Sequence, residues 1–165
     1  MSVLARLAHY CSLTIARLFL VAWIGGAALF VITSIGEQRS QDFDSATKDR
    51  LATIRFPHYY QFGAMCLGIS IAATGLAVVT RKPGSRKGLM AGLACCVVSA
   101  GIAGYDYVAV YSPLQELITP PGQVRGPEFL TLHERSAFIN EIHISLALLG
   151  AILLCLPSSE KQNAG

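Results

Sequence analysis

Residues 56–80 read FPHYYQFGAMCLGISIAATGLAVVT, and these 25 residues include no Asp, Glu, Lys or Arg. About 20 predominantly apolar residues in a helix span the hydrocarbon core of a bilayer, so this stretch is long enough to cross a membrane. Three more uncharged runs, 18–36, 88–105 and 142–159, have 19, 18 and 18 residues. The four runs predict an all-α integral membrane protein whose four helices form a bundle.

The composition agrees with a membrane protein. Charged residues make up 14% of the chain, whereas a soluble domain has about 25%, and the mean hydropathy is +0.50. The connections are too short to cover four core helices of a soluble protein. The first run exceeds the core of a signal peptide, about 7–15 residues, and therefore predicts a retained span. We expect one domain, residues 1–165, with spans at about 13–35, 58–80, 88–111 and 136–156.

Basic residues set the expected orientation. The short connection between spans two and three contains Arg81, Lys82, Arg86 and Lys87 and no acidic residue. Because Lys and Arg are enriched in cytoplasmic loops, we expect this connection, and with it both termini, on the cytoplasmic side of the cell membrane. This topology explains the net charge of +3, which therefore predicts no nucleic-acid partner.

Small residues recur at four-residue spacing in two of the spans. Ala64, Gly68 and Ala72 follow this spacing in span two. In span three Ala91, Cys95 and Ser99 follow it, and so do Cys96, Ala100 and Gly104 on a neighbouring stripe. Small side chains let helix backbones approach closely in lipid. We therefore expect these stripes to be points of tight packing, where a larger residue at position 68 forces the helices apart.

Polar side chains share one helix face at the start of the fourth span. His133, Ser136, Asn140 and His143 fall within an arc of roughly 80° on a helix that advances about 100° per residue. Glu141 lies roughly 80–160° away from these four. Ionisable groups inside a bilayer are costly and tend to face a functional interior, so the shared face predicts where the site lies.

Four spans bring the start of span two, the end of span three and the start of span four together at the external side. Asp106 lies about one and a half turns inside the end of span three and needs a partner or water. Arg55 and His133 are the expected partners, so an ion pair is one interpretation and a binding site is the other. The candidate binding residues are Arg55, Tyr59, Tyr60, Asp106, His133, Ser136 and Asn140.

Three functions remain open from the residues. The favoured one is a non-enzymatic membrane protein, without a cofactor, whose polar pocket binds or passes a small solute, an ion or a lipid headgroup. The second is a redox protein in which His58, His133 or His143 holds haem or copper. The third is an assembly subunit that contacts a membrane-protein partner or a second copy. We assign no catalytic residue.

Two segments carry a resemblance to a known family. The segment Arg55-Phe-Pro-His-Tyr-Tyr-Gln-Phe-Gly63 resembles the R-x-P-x-Y-Y-x-x-G signature of the transmembrane-protein-205-like domain family. Leu132-His-Glu-Arg-Ser-Ala-Phe-Ile-Asn140 is similar to that family's L-H-x-x-S-x-x-x-N signature, and residues 17–26 are similar to its opening. Glu141 and His143 lie outside the pattern. The resemblance implies a four-helix membrane domain but no activity, because the function of the family is unknown.

The same architecture is also similar, more distantly, to copper-resistance D-type proteins and to the bacterial haem-containing protoporphyrinogen oxidase. That likeness concerns the four-helix arrangement alone. Since one fold hosts many functions, it does not decide between the three hypotheses.

Overall fold

The computed structural model describes residues 3–81 and 86–156, and this part of the chain is all-α. Four of its helical segments are long and apolar enough to cross a membrane, which confirms the predicted bundle. The helices are α1 (Val3–Arg39), α2 (Ser45–Thr80), α3 (Lys87–Asp106), a π-helical segment (Tyr107–Tyr111), α4 (Ser112–Leu117) and α5 (Pro127–Cys155). Lys82, on which part of the orientation argument rests, lies outside the described residues.

The helices extend further than the sequence predicted. Helix α1 begins at Val3, ten residues before the expected start, and α5 begins at Pro127 rather than near residue 136. The connection after span three contains four prolines, yet Pro113 lies within the continuous helical stretch Lys87–Leu117 and Pro127 opens α5. The first turn of a helix tolerates a proline such as Pro127 because its N–H groups have no helical partner there.

The four long helices form a closed ring in the order α1, α2, α3, α5. The most extensive contacts join α1 to α2 and α3 to α5, and the contact between α2 and α3 is smaller. The interior core centres on Leu20, Trp23, Leu67 and Leu154, while most large apolar side chains on the outer faces are exposed. Large apolar side chains on the outer surface are expected when lipid covers that surface.

Hydrogen bonds tie the connections to the bundle at the end where α1 joins α2 and α4 joins α5. The carboxylate of Asp49, which is buried in α2, accepts hydrogen bonds from the Gly122 backbone N–H (2.8 Å) and from Arg125 (2.9 Å). Gly122 has a φ of 89°, a left-handed conformation that glycine adopts readily. Asp44 caps the start of α2, and hydrogen bonds from the Thr47 side chain and backbone lower the pKa of the Asp44 carboxyl.

Tight helix packing occurs between α3 and α5, not at Gly68. A Cβ atom added to Gly92 of α3 would lie 2.8 Å from Leu154 Cδ2, and one added to Gly150 of α5 would lie 3.3 Å from Cys96 Sγ. A Cβ atom added to Gly68 or to Gly104 meets no atom within 4 Å. The expectation that these two glycines hold helices together is therefore wrong, because spacing along one helix does not reveal which stripe faces a neighbour.

We expect Gly92→Leu to destabilise the bundle more than Gly68→Leu. The first substitution overpacks the α3–α5 contact, which typically costs about 1–3 kcal/mol, whereas the second enters open space. Thermal unfolding of both variants in the same detergent measures the difference. Equal midpoints, or a lower midpoint for Gly68→Leu, contradict the assignment of the α3–α5 contact.

Candidate functional site

The candidate site centres on Asp106, the last residue of α3, whose side chain is fully buried. The π-helical segment begins immediately after it, and the Ser112 backbone N–H bonds to the Tyr107 carbonyl across the wide turn. Single π turns within α-helices occur frequently at functional sites. A buried carboxyl beside such a turn marks this region as the first candidate.

One oxygen of Asp106 collects hydrogen bonds from two other helices. Oδ2 accepts from the Tyr60 hydroxyl of α2 (2.5 Å) and, on α5, from Asn140 Nδ2 (2.9 Å) and the Ser136 hydroxyl (3.1 Å). Among the described residues no donor reaches the other oxygen, Oδ1. The carboxyl therefore joins α2, α3 and α5 through one atom while its second oxygen keeps unused accepting capacity.

The surroundings of Asn140 fix the orientation of its amide and the tautomer of His143. Nδ2 also donates to the Ser136 carbonyl (2.9 Å), which can only accept, so the amide nitrogen must lie on that side. Oδ1 then accepts from the Tyr59 hydroxyl (2.8 Å) and lies 3.0 Å from His143 Nε2. Because Oδ1 cannot donate, His143 carries a proton on Nε2.

Trp23 and His143 each keep a ring nitrogen without a partner. Their rings stack with centroids 5.9 Å apart and an interplanar angle of 14°. Both side chains are buried, and among the described residues neither Trp23 Nε1 nor His143 Nδ1 has a hydrogen-bond partner. Buried polar atoms are normally satisfied, so orphaned atoms such as these need an explanation.

A cavity of about 400 Å³ lies between α2 and α3, next to this stacked pair. Small and apolar side chains form most of its wall, and five larger polar or aromatic groups, those of Trp23, Tyr60, Gln61, Tyr107 and His143, also line it. The remaining wall residues are Pro57, Gly63, Ala64, Leu67, Gly68, Ile71, Ala100, Ala103 and Gly104. The small-residue stripes of the two helices thus form a cavity wall instead of a packing contact.

Arg55 and His133 do not pair with Asp106. Arg55 forms an ion pair with Glu37 at the end of α1 and lies 4.9 Å from the centre of the Phe30 ring. His133 is exposed and stacks on Phe129 of its own helix. The predicted ion pair of Asp106 is therefore wrong. Glu37 and Arg55 are both partly exposed, so their ion pair costs less desolvation than a pair between Arg55 and the buried Asp106 would cost.

Five of the seven candidate residues do come together: Tyr59, Tyr60, Asp106, Ser136 and Asn140. His143, treated only as a deeper extension in the sequence, belongs to the same network. Glu141 is exposed on the outer face of α5 and is not part of it. Trp23 was missed as a site residue, and the one available signal was that it is the single tryptophan of the chain.

No ready-made metal site accompanies the network. Among the described residues there is no group of three or more His, Cys, Asp and Glu side chains positioned to hold a metal ion. His58 is exposed and contacts Gln61 of its own helix at 3.4 Å. The haem or copper hypothesis gains no support from this donor set.

Comparisons with protein-family models, with curated proteins and with solved structures found no match to this chain. The function has to be inferred from the chemistry of the cavity and the polar network.

We expect Asp106→Leu to destabilise the protein by several kcal/mol, because three buried donors lose their shared acceptor and each unsatisfied group costs about 1–3 kcal/mol. Asp106→Asn should cost much less, since its carbonyl oxygen can replace Oδ2. Thermal and denaturant unfolding in detergent compares the two variants. If Asp106→Leu and Asp106→Asn are equally stable, Oδ2 is not the acceptor that the three donors require.

Proposed function

We propose that this membrane protein binds a small amphipathic molecule that enters the α2–α3 cavity from the bilayer. The apolar part of the ligand occupies the space beside the small residues, and a hydroxyl head lies at the end lined by Trp23, Tyr60 and His143. The observation that carries the proposal is the pair of orphaned ring nitrogens in the wall of a largely apolar cavity. Pockets with apolar walls and a few convergent polar groups are typical ligand sites.

The position of the opening supports entry from lipid. Gly68 and Gly104, which line the cavity from α2 and α3, are exposed on the outer surface of the bundle. Gly68 lies nine residues beyond Tyr59, which corresponds to about 13 Å along the helix axis. The opening is therefore at the depth of the hydrocarbon core, where lipid-soluble molecules are concentrated.

The polar groups favour a hydroxyl head over an anion. Trp23 Nε1–H can only donate, whereas His143 Nδ1 is an acceptor in the tautomer that Asn140 imposes. Tyr60 donates its own proton to Asp106 and keeps accepting capacity on its oxygen. A hydroxyl both donates and accepts, so it matches this set, while a phosphate or carboxylate would meet the nearby Asp106 carboxyl.

We also propose that the chain is a member of the transmembrane-protein-205-like domain family. The proposal rests on the two signature segments around Tyr59 and Asn140. Tyr59 and Tyr60 of the first segment contact Asn140 and Asp106, and Ser136 of the second contacts the same carboxyl. Contacts between the two signature segments across the helices support the proposal that both belong to one site. The function of the family is unknown, so membership implies no activity.

The single tryptophan provides the test of ligand binding. We expect a bromine-labelled medium-chain fatty alcohol to quench Trp23 fluorescence saturably in detergent-purified protein, because bromine in the cavity lies close to the indole ring. The corresponding bromoalkane, which has no hydroxyl, should quench less at the same concentration. Gly68→Leu should abolish saturable quenching by filling the cavity.

The matched control is Gly101→Leu on α3, since a Cβ atom at Gly101, like one at Gly68, meets no atom within 4 Å, but Gly101 does not line the cavity. In this variant the bromine-labelled alcohol should quench Trp23 fluorescence as it does in the unmodified protein. Quenching that rises linearly, or that is equal in the two leucine variants, would mean that the alcohol only partitions into the micelle and would refute the proposed site.

The cell membrane as location and cytoplasmic termini are further proposals, supported by Arg81, Arg86 and Lys87 in the short second connection. A reporter fused after Gly165 or inserted in that connection should report the cytoplasm, and one inserted near Ser45 should report the external side. The reverse pattern contradicts the orientation and leaves the four helices unaffected.

A further inference from the structure

Glu141 carries a carboxyl on the outer, lipid-facing side of α5. It is exposed, and among the described residues no donor contacts it. It lies six residues beyond Arg135, which corresponds to about 9 Å deeper along the helix, and residues 142–159 after it are uncharged. Ionisable groups inside a bilayer almost always pair or face a protein interior. A carboxyl that faces lipid at this position therefore requires another protein surface to shield it from the lipid.

The side chains around Glu141 have the spacing of a helix–helix seam. The exposed residues Phe138, Ile142, Ser145 and Leu149 succeed one another at intervals of four, three and four. This is the 3.5-residue repeat with which a helix packs along a roughly parallel neighbour. Together with Glu141 and Leu146 these residues line one shallow groove on the bundle surface.

We propose that this face of α5 binds the same face of a second copy, forming a parallel two-fold symmetric dimer. The patch supplies both halves of a polar contact. The Ser145 hydroxyl, which has no hydrogen-bond partner among the described residues, lies one turn below Glu141 on the same face. Across a two-fold axis normal to the membrane, the Glu141 carboxyl of each copy accepts from Ser145 of the other copy.

A second copy fits better than an unrelated helix because the patch is self-complementary. The two-fold axis keeps each residue at its own height, so each Glu141 side chain reaches about 6 Å along the axis to Ser145 of the other copy, and one symmetric contact forms this hydrogen bond twice. Interhelical hydrogen bonds and a small residue in the seam both favour association in lipid. None of the residues that line this groove lines the α2–α3 cavity, so the dimer contact and the proposed ligand site do not overlap.

The test measures dimerisation in liposomes by energy transfer between donor-labelled and acceptor-labelled protein over a range of protein-to-lipid ratios. We expect a specific dimer. Glu141→Leu should weaken it about tenfold or more through loss of two interhelical hydrogen bonds, and Ser145→Ala should weaken it as well. Glu141→Gln should retain it, because the amide oxygen still accepts from Ser145.

Glu116→Leu is the matched control, since Glu116 is exposed on α4, away from the seam, and receives the same substitution. It should leave dimerisation unchanged. As a second readout, a cysteine at position 142 should cross-link two copies under oxidation, and one at position 32 on α1 should not, in a background where Cys11 and Cys155 are serine. A monomeric protein, or a dimer that Glu141→Leu leaves intact, overturns the proposal.

Discussion

The structure depends on one constraint: inside a bilayer, a buried carboxyl has to find its donors within the protein. Asp106 meets it with a single oxygen that accepts from Tyr60, Ser136 and Asn140. These donors come from α2 and α5, so the contact fixes the height of both helices relative to the end of α3. Apolar packing alone specifies such a register weakly, because a shift along the helix replaces one apolar contact with another.

The ring of helices is tight on one side and open on another. Gly92 and Gly150 let α3 and α5 approach until their backbones are close to each other's side chains. Between α2 and α3 the small residues instead line a cavity, and the Tyr60 hydroxyl at its wall crosses from α2 to Asp106 of α3. The hydrogen bond that contributes to the register is therefore also part of the wall of the cavity.

Much of this arrangement could be predicted from the sequence, and the failures have a common cause. Length and charge alone predict four spans, and the 136–140 spacing together with the depth of Asp106 predicts that these residues meet. The rotation of α2 about its axis is not encoded in spacing. That rotation turns Arg55 towards Glu37 of α1 and turns Gly68 towards the cavity. Arg55, a partner residue at the right depth, was consequently assigned to the wrong neighbour. His133 of α5 fails for a separate reason, since it stacks on Phe129 of its own helix.

The network also determines which hydrogen-bonding groups remain for a ligand. The Ser136 carbonyl orients the Asn140 amide, and the amide oxygen in turn requires a proton on His143 Nε2. His143 Nδ1 is left as an acceptor beside Trp23 Nε1–H, a donor, and among the described residues no cationic side chain lines the cavity. An anionic head would therefore find one donor and no counter-charge, whereas a neutral hydroxyl can satisfy both nitrogens. The ligand class that we propose therefore depends on the Ser136 carbonyl, which orients the Asn140 amide and through it determines the tautomer of His143.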